Sequence, residues 1–492
     1  MRISRRVRRT VALVTATTLA MLVPAAPLVS AQPDEPDDNG TIANATPPPL
    51  DPSIPAPTAD GNADVTYTRK SDTACVASLQ EATELRTEPW AQDVLRLDEA
   101  HKYATGKGIK IAVIDTGVNE HNYLAGRLEQ STADYVNHDA KNKDAGNPYD
   151  CDGHGTQVAG IIAANPNDPT IGFKGVAYEA TILSIRQSSQ FYEYKDPNGQ
   201  SNRDTAGNLD SLAEAIVTAA DAQVDVINMS IDACRSANKG GEITAQEATV
   251  RAALKYAVDR GVVPVVSAGN RPNNIDCGDR QNSSDPDNPT LIVAPPWFSD
   301  LVLSVAAVQR DGDTADFSLH GPWVSVAAPG TEIISLDPAE AGRLVNQTSS
   351  GANGDPVPIQ GTSFAAPYVA GLAALVKERF RGLGKELSAA QIMHRIKATA
   401  EHPAGAGGRN LEVGYGMIDP VAALTEVIPG EDDIKGDAPI KIPSDVPPPY
   451  QHNWGPMQIA LIGSGGGLAL LLMTLFIVHT VRRNRPDGVM KR

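Results

Sequence analysis

Short apolar runs rich in Val, Ile and Ala recur along the middle of the chain, each bounded by polar or turn residues. Uninterrupted runs of this length are typical of strands buried on both faces of a parallel sheet. They occupy residues 109–114, 224–231, 262–266, 301–308 and 324–328. The pattern therefore predicts a buried parallel sheet.

Helical periodicity fills the gaps between these runs. Predicted helices cover residues 210–223, 245–260, 364–380 and 388–399, with a shorter helical run at 156–164. Strands alternating with helices predict an α/β fold: a doubly wound parallel sheet flanked by helices, whose ligand chemistry gathers at the carboxyl ends of the strands. Long polar stretches are interpreted as surface loops at residues 132–150, 187–208, 271–298 and 335–358.

The first 31 residues have the pattern of an export signal. Five arginines precede an uncharged apolar run, which leads to small residues at positions 29–31. An uncleaved N-terminal anchor is the alternative, but Pro24 and Pro27 interrupt the run. We expect cleavage after Ala31.

Residues 457–481 predict a C-terminal transmembrane helix. They contain no Asp, Glu, Lys or Arg, and at about 1.5 Å per residue they exceed a hydrocarbon core of roughly 30 Å. A buried core helix is the alternative, but it is unusual at the extreme end of a chain. The basic tail at 482–492 is expected in the cytoplasm. The expected protein is a single-pass type I protein of the cell membrane, with its body on the extracytoplasmic side.

Two segments flank the α/β pattern. Residues 32–87 form an N-terminal arm whose first half, rich in Pro, Asp and Asn, cannot bury enough apolar surface to fold alone. Residues 428–456 form a Pro-rich linker, expected to be a semi-stiff spacer. The region between them, 88–427, is expected to be one domain.

Charge and cysteine content narrow the class of protein. The chain has 42 Lys and Arg against 59 Asp and Glu, a net charge of -17, which argues against a nucleic-acid partner. Two disulfides are expected because all four cysteines lie in the exported part. Zinc is the alternative, but the chain has no CxxC. The cysteines are Cys75, Cys151, Cys234 and Cys277.

Four polar residues stand at strand ends or helix starts, with small residues around them. They are Asp115 after the first strand, His154 between two glycines, Asn270 after the third strand, and Ser363 at the start of the long helix. Each alone has a structural explanation: a turn cap, a helix-start histidine, a turn residue and a helix N-cap, respectively. No single one of them therefore identifies a site.

Taken together, the four stretches resemble the subtilisin-like serine proteases in sequence and in the order Asp, His, Asn, Ser. The resemblance covers about residues 88–427. It implies that Ser363 is the nucleophile, His154 the general base and then acid, and Asp115 the carboxylate that orients the imidazole. It also implies that Asn270 and the Ser363 N–H bind the oxyanion of the tetrahedral intermediate.

Residues 226–231 resemble the segment with which this family pairs an extended peptide substrate. The substrate-binding residues implied are Asn228, Ser230, Ile231 and Gly269. Where many subtilisins continue with glycines, this chain has Asp232 and Ala233. The shape of the primary specificity pocket is therefore left open.

The complete architecture resembles the mycosins, the membrane-anchored proteases of actinobacterial type VII secretion systems. The resemblance implies that the arm is retained and wraps the protease domain. It also implies three partners: the type VII secretion membrane complex, proteins exported by that system, and the membrane. Of the three cysteine pairings possible, Cys75 with Cys151 is favoured because it would attach the arm beside His154. Cys234 with Cys277 is favoured because both follow the ends of neighbouring predicted strands.

The hypothesis favoured by these patterns is a serine endopeptidase that cleaves exported proteins and is also a structural part of the secretion complex. One alternative is a scaffold of that complex with dispensable catalysis, and another is a general degradative protease outside the cell. No cofactor is expected. No metal site is predicted either, because no EF-hand-like string occurs among the many carboxylates.

Overall fold

The structure is a computed structural model that describes residues 46–61, 67–70, 74–76, 83–136, 149–195, 201–237, 242–271, 278–282, 284–287, 289–348, 356–404, 406–433 and 472–478. The predicted signal peptide, basic tail and Cys277 lie outside these residues, as does most of the predicted transmembrane segment. Residues 472–478 are helical. Within the described ranges, no helix has both the length and the apolar character needed to cross a membrane.

The strands, numbered in chain order, are β1 Tyr67–Arg69, β2 Lys110–Asp115, β3 Leu128–Asp134, β4 Thr181–Arg186, β5 Ser189–Lys195, β6 Ser201–Ala206, β7 Val226–Met229, β8 Ala233–Ser236, β9 Val263–Ser267, β10 Leu291–Ala294, β11 Leu303–Val308, β12 Val326–Pro329, β13 Ser335–Leu336, β14 Leu344–Val345, β15 Gln347–Thr348 and β16 Val357–Pro358. The α-helices are α1 Trp90–Val94, α2 Leu97–Ala100, α3 His154–Ala163, α4 Leu209–Asp221, α5 Ala245–Val258, α6 Thr362–Gly382, α7 Ala389–Ala398 and α8 Pro420–Thr425.

Seven of the strands form a parallel sheet in the order β12-β11-β9-β7-β2-β4-β3. Within this sheet the chain starts at β2, passes to β3 at the edge, inserts β4 between β3 and β2, and then builds β7, β9, β11 and β12 on the other side. The strand order therefore reverses beside β2, and this is the place where a doubly wound sheet opens a crevice at its carboxyl edge. The predicted α/β fold class is confirmed.

Both faces of the sheet are covered by helices because its side chains alternate between two apolar cores. Ile111 and Val113 lie in a core shared with α3, α6 and α7, while Ala112 and Ile114 lie in a second core shared with α4 and α5. Adjacent residues of a strand point to opposite faces, so a continuous apolar run serves both cores. The five strands and the helices predicted from periodicity are all present.

The polar stretches contain more structure than predicted. The stretch 187–208 holds β5 and β6, which form an antiparallel sheet with β1 in the order β1-β5-β6. The stretch 271–298 ends in β10, which is fully buried and pairs with β8. Short strands also occur in 335–358. The interpretation of these stretches as plain surface loops was wrong, because their strands form through backbone pairing, within a stretch or with another segment, that a polar sequence does not reveal.

The N-terminal arm lies along the protease domain. Leu50, Ala56 and Ala59 pack against the second core, and the Pro48 carbonyl accepts a hydrogen bond from Arg251. Farther along, the N–H of Asp134 donates to the Gly61 carbonyl at 3.0 Å. The arm then adds β1 to the β5–β6 hairpin. Its described parts thus contact the domain from α5 to the edge of β3 and the hairpin.

Candidate active site

Asp115 is the last residue of β2, at the point where the strand order reverses. Its side chain is 2 % exposed, and its Oδ1 accepts hydrogen bonds from Thr116 N at 2.7 Å and from His154 Nδ1 at 2.7 Å. A carboxylate held by two donors at the end of a buried strand has little freedom to turn. It is therefore a fixed partner for the imidazole.

His154 is the first residue of α3, and the glycines beside it let the helix start touch the end of β2. Gly153 has φ of +76°, a left-handed conformation that favours glycine. A Cβ at Gly155 would lie 2.0 Å from the Gly117 carbonyl oxygen, so no larger residue fits there. The close approach of the two backbones brings the imidazole within reach of Asp115.

Ser363 stands in the first turn of α6, and its Oγ lies 2.9 Å from His154 Nε2. Together with the contact of 2.7 Å between His154 and Asp115, this gives one continuous hydrogen-bonded chain, which we call the triad. Three side chains that are far apart in sequence thus converge at the carboxyl edge of the sheet. The Phe364 ring packs on the His154 ring with centroids 4.9 Å apart.

The charges around His154 favour its protonated form. Burial lowers the pKa of the ring, but the charge and hydrogen bond of Asp115 and the charges of Asp150 and Asp152 together raise the pKa by more. The net result is a pKa above the usual value of 6.5. An imidazole with a raised pKa is a stronger base for the Ser363 hydroxyl.

Asn270 comes after β9 and is tied to the start of α6. Its Oδ1 accepts hydrogen bonds from Thr362 N at 2.9 Å and Thr362 Oγ1 at 3.1 Å. Because the oxygen is bound in this way, the Nδ2 group is the donor that remains. The Ser363 N–H lies in the first helical turn, where N–H groups have no acceptor within the helix. Two donors therefore stand near the serine oxygen.

The segment expected to bind substrate lies beside the serine. Ser230 Oγ donates to the Ser363 carbonyl at 3.2 Å and accepts from Asn228 Nδ2 at 3.2 Å. Asn228 is fully buried, and Ile231 packs against the second core. Gly269 has φ of +101°, and a Cβ there would lie 3.1 Å from Asp232 Oδ2. The departure from the family's glycines therefore brings a carboxylate next to Gly269.

The structure contains the Cys75–Cys151 disulfide, as predicted. The N–H of Val76 also donates to the Cys151 carbonyl at 3.0 Å, so the arm is attached three residues before His154. Cys234 is disulfide-bonded as well. Its expected partner, Cys277, lies outside the described residues, and that pairing remains a prediction.

One residue near the triad was not recognised from the sequence. Asp150 is 1 % exposed, lies in the loop between β3 and α3, and joins the end of β2 to the start of α3. Its only sequence signal is its position four residues before His154, and other carboxylates in the same polar stretch share that neighbourhood. Nothing in the pattern distinguishes a buried acid there from a solvated one.

A second concave region lies at the opposite edge of the sheet. This groove of about 770 Å³ is lined by residues that precede β7 and β9 and by the end of α6. Two of its cations form ion pairs: Lys377 with Asp225 at 3.2 Å, and Arg381 with Glu386 at 3.2 Å. No triad residue reaches it. Among the described residues, no group of three or more His, Cys, Asp or Glu side chains is arranged to hold a metal ion.

Comparison with known proteins agrees with this geometry. Residues 106–416 match the Subtilase family model of peptidase S8. Mycosin-1 of Mycolicibacterium smegmatis is 43% identical over 399 residues, covering 78% of this chain and 82% of the relative. The crystal structure of MycP1 from the ESX-1 type VII secretion system superposes with a TM-score of 0.68 at 38% identity, covering 80% of this chain and 100% of the other.

A further structure describes an assembly. A chain of the intact ESX-5 inner membrane complex matches with a TM-score of 0.67 at 34% identity, covering 88% of this chain and 100% of the other. The chain belongs to the subtilase family of serine proteases, and within that family to the mycosins. It is therefore a subtilisin-like serine protease.

Proposed function

We propose that this protein is a membrane-anchored endopeptidase that cleaves proteins exported by a type VII secretion system, using Asp115, His154 and Ser363 as its catalytic residues. The observation that carries the proposal is the continuous hydrogen-bonded chain of 2.7 Å and 2.9 Å through the triad. A serine hydroxyl is a weak nucleophile until a neutral imidazole accepts its proton. The triad supplies that imidazole.

The reaction follows from these contacts. Ser363 Oγ attacks the scissile carbonyl carbon while its proton moves to His154 Nε2, and Asp115 stabilises the imidazolium that forms. The oxyanion accepts hydrogen bonds from Asn270 Nδ2 and the Ser363 N–H, near the positive end of the α6 dipole. His154 then gives its proton to the leaving amine, and a water molecule hydrolyses the acyl-enzyme by the same steps.

An extended peptide fits beside the serine. We propose that the substrate main chain pairs with the segment containing Ser230 and Ile231, with Asn228 and Gly269 shaping the same wall. Asn228 supports Ser230 from the buried side, and the absence of a Cβ at Gly269 leaves space next to Asp232. These contacts would position the scissile bond over Ser363.

The proposal extends to location and partners. The signal at 1–31, the linker at 428–456 and the segment at 457–481 support a single-pass anchor with the protease outside the membrane. Similarity to a chain of the ESX-5 inner membrane complex supports membership of such a complex. The contacts of the arm along the domain support an arm that is retained after export.

A second function, as a scaffold of the complex with dispensable catalysis, is favoured by the same similarity. Two strains separate the possibilities: a Ser363→Ala strain and a strain lacking the chain. Secreted peptides are compared by mass spectrometry, and the assembled complex by native gel. Loss of a cleavage with an intact complex in Ser363→Ala, and loss of the complex on deletion, would support both roles.

Other outcomes of these experiments would contradict one of the two roles. Unchanged processing in the Ser363→Ala strain would overturn the catalytic assignment. Broad hydrolysis of casein by the purified protein would favour a degradative protease instead. A complex that assembles normally without the chain would exclude the scaffold role.

A further inference from the structure

A second carboxylate lies directly behind the triad and takes no part in the reaction described above. Both oxygens of Asp150 are buried and together accept four hydrogen bonds. Oδ1 accepts from Thr116 Oγ1 at 2.8 Å and from Gly153 N at 2.8 Å. Oδ2 accepts from Thr156 N at 2.8 Å and from Thr156 Oγ1 at 2.6 Å.

These donors come from the two segments that carry the acid and the base of the triad. Thr116 follows Asp115 at the end of β2, while Gly153 and Thr156 flank His154 at the start of α3. The Thr116 hydroxyl also accepts from Gly155 N at 2.9 Å, which closes the connection between the segments. A single side chain thus bridges the strand end and the helix start.

The loop needs such a bridge because its own sequence does not fix its conformation. Gly153 and Gly155 flank His154, and glycine restricts the backbone least. The side chain of Asn119 holds the Asp150 main chain on both sides: its Oδ1 accepts from Asp150 N at 2.7 Å and its Nδ2 donates to Asp150 O at 2.9 Å. The carboxylate is therefore held in place while it holds the loop.

We infer that Asp150 is a positioning residue of the protease, whose ionised carboxylate sets the distance and angle between Asp115 and His154. The inference rests on the proposed function, because it assigns Asp150 a role in the reaction of the triad. All four of its partners donate, so the ionised form is the one that this site accommodates. A proton on either oxygen would face an N–H that cannot accept it, or a hydroxyl that would have to give up its own donated bond, so at least one of the four bonds would be lost.

The ionisable groups around Asp150 are carboxylates, an imidazole, a phenol and a guanidinium. Burial raises the pKa of Asp150 to about 6, with the charge of Asp152 adding to the increase and the bonds from Thr156 and Thr116 opposing it. His154 and Asp115 lie on the triad side. On the other side is Tyr149, whose carbonyl accepts from Arg186 Nη1 at 3.0 Å. Asp150 therefore loses its charge at a mildly acidic pH.

The test uses the full-length chain and a fluorophosphonate probe, which labels an activated serine and reports the triad without requiring the natural substrate. The second-order labelling rate is measured against pH for wild type, Asp150→Asn and Asp152→Asn. Asp152 is the matched control because it is a second buried acid of the same loop. Its oxygens bind the β5 hairpin, through Ser189 Oγ and Gln190 N, rather than the two segments of the triad.

Asp150→Asn should lower the plateau labelling rate at high pH about 10- to 100-fold, the cost of a small misplacement of reacting groups. Both variants should move the acid limb of the profile to lower pH, because each removes a negative charge that raises the pKa of His154. Asp152→Asn should leave the plateau unchanged. Only the combination of a lower plateau and a shifted limb in Asp150→Asn supports positioning.

Two hydroxyl deletions keep the test decisive if Asp150→Asn fails to fold. Thr116→Val and Thr156→Val each remove one hydrogen bond to Asp150, together with the bond that the same hydroxyl accepts from a backbone N–H, and keep the charge. Each should lower the plateau about 2- to 10-fold without moving the limb. Thr116→Ser should restore the rate. An unchanged plateau in Asp150→Asn or in both Thr→Val variants, or an equal loss in Asp152→Asn, overturns the inference. If wild type itself is not labelled, the proposed function is contradicted. Normal labelling of every variant contradicts only the inference about Asp150.

Discussion

At the scale of single residues, the site depends on where a side chain is missing as much as on where one is present. Gly155 lies so close to the Gly117 carbonyl that a methyl group would overlap it. A Cβ at Gly361 would lie 3.0 Å from Ser363 Oγ, inside normal packing distance. Glycines at these positions let three separate segments meet, and the meeting creates the triad.

Asn270 offers a prediction at this scale. Asn270→Ala should lower kcat about 10²- to 10³-fold with little change in KM, because the oxyanion forms only after Ser363 attacks. Steady-state kinetics on a p-nitrophenyl ester measures both constants. Thr362→Val, which removes one of the two donors to Asn270 Oδ1, should cause a smaller loss. An increase in KM with unchanged kcat would indicate substrate binding instead.

The protonation of His154 gives a second prediction. Since only the neutral imidazole accepts the serine proton, kcat/KM should fall about tenfold per pH unit on the acid side. The midpoint should lie above 6.5, because the Asp115, Asp150 and Asp152 carboxylates together outweigh the effect of burial on the ring pKa. A pH series measures this limb, and an NMR titration of His154 in Ser363→Ala provides the control. A midpoint below 6.5 in both would contradict the electrostatics described above.

Whether a site residue can be predicted from the sequence depends on whether its neighbours in the sequence form a recognisable pattern. The three triad residues and Asn270 stand in stretches that resemble a known family, so the sequence alone is enough to name their positions. Asp150 could not be named in this way, since its role depends on burial and on donors from two segments. Thr362 was likewise missed, because a threonine beside the serine gives no sign that it anchors Asn270.

At the scale of elements, strands that are continuous apolar runs and strands that contain or follow polar residues differ in predictability. The buried strands β2, β7, β9 and β11 are continuous apolar runs and were predicted with small boundary differences. β4 has a polar Ser184 within a short run, and β10 ends a long polar stretch. Their burial follows from the partners they meet in the fold, which periodicity alone does not reveal.

The attachment of the arm gives an element-scale prediction. The Cys75–Cys151 bridge joins residues with a sequence separation of 76, for which the chain-entropy model gives about 4 kcal/mol. Cys75→Ser with Cys151→Ser should therefore lower the free energy of unfolding by about 2–4 kcal/mol, measured by urea denaturation. Lys70→Ala, which removes one exposed arm contact to the Gln190 carbonyl, should change it by less than about 0.5 kcal/mol. Equal effects of the two would mean that the bridge adds no stability.

At the scale of the whole molecule, the N-terminal and C-terminal segments of the described domain are attached to it at different places. The arm is bonded beside the triad through Cys151, whereas the chain leaves the domain after a buried ion pair on the α7 side. Arg395 and Glu431 are 2% and 3% exposed, with Nε and Oε1 2.6 Å apart. Arg395 also donates to the Ala423 and Glu426 carbonyls, so it fixes the segment that runs to residue 433.

This ion pair gives a prediction for the complete domain. Glu431→Ala should cost about 3–5 kcal/mol of unfolding free energy, because it leaves the Arg395 charge buried without its partner. Arg395→Met with Glu431→Leu should cost much less. Urea denaturation of both variants at neutral pH measures the difference, and a larger loss in the double variant would contradict the explanation.

Acid should weaken the same contact in the unmodified protein. Burial raises the pKa of Glu431. The hydrogen bonds from Arg395 and Lys385 lower the pKa by more than burial raises it, so the net pKa is below the usual 4.5. A carboxyl whose pKa is lowered by folding stabilises the protein above its unfolded-state pKa, and that stability is lost as pH falls through the folded-state pKa. Glu431→Gln should therefore remove part of the stability loss seen in wild type below about pH 4.5.

The helix α6 separates Ser363 from the place where the chain leaves the domain. Ser363 stands at the start of the helix, and Lys385, whose Nζ lies 3.0 Å from Glu431 Oε2, follows its end. The 21-residue helix is about 30 Å long. A pulling force applied from the C-terminal side would thus enter the protein one helix length from Ser363 and would act first on the Arg395–Glu431 ion pair. Stretching single molecules from the C-terminus should unravel the last segment before serine labelling is lost, and at lower force in Glu431→Ala.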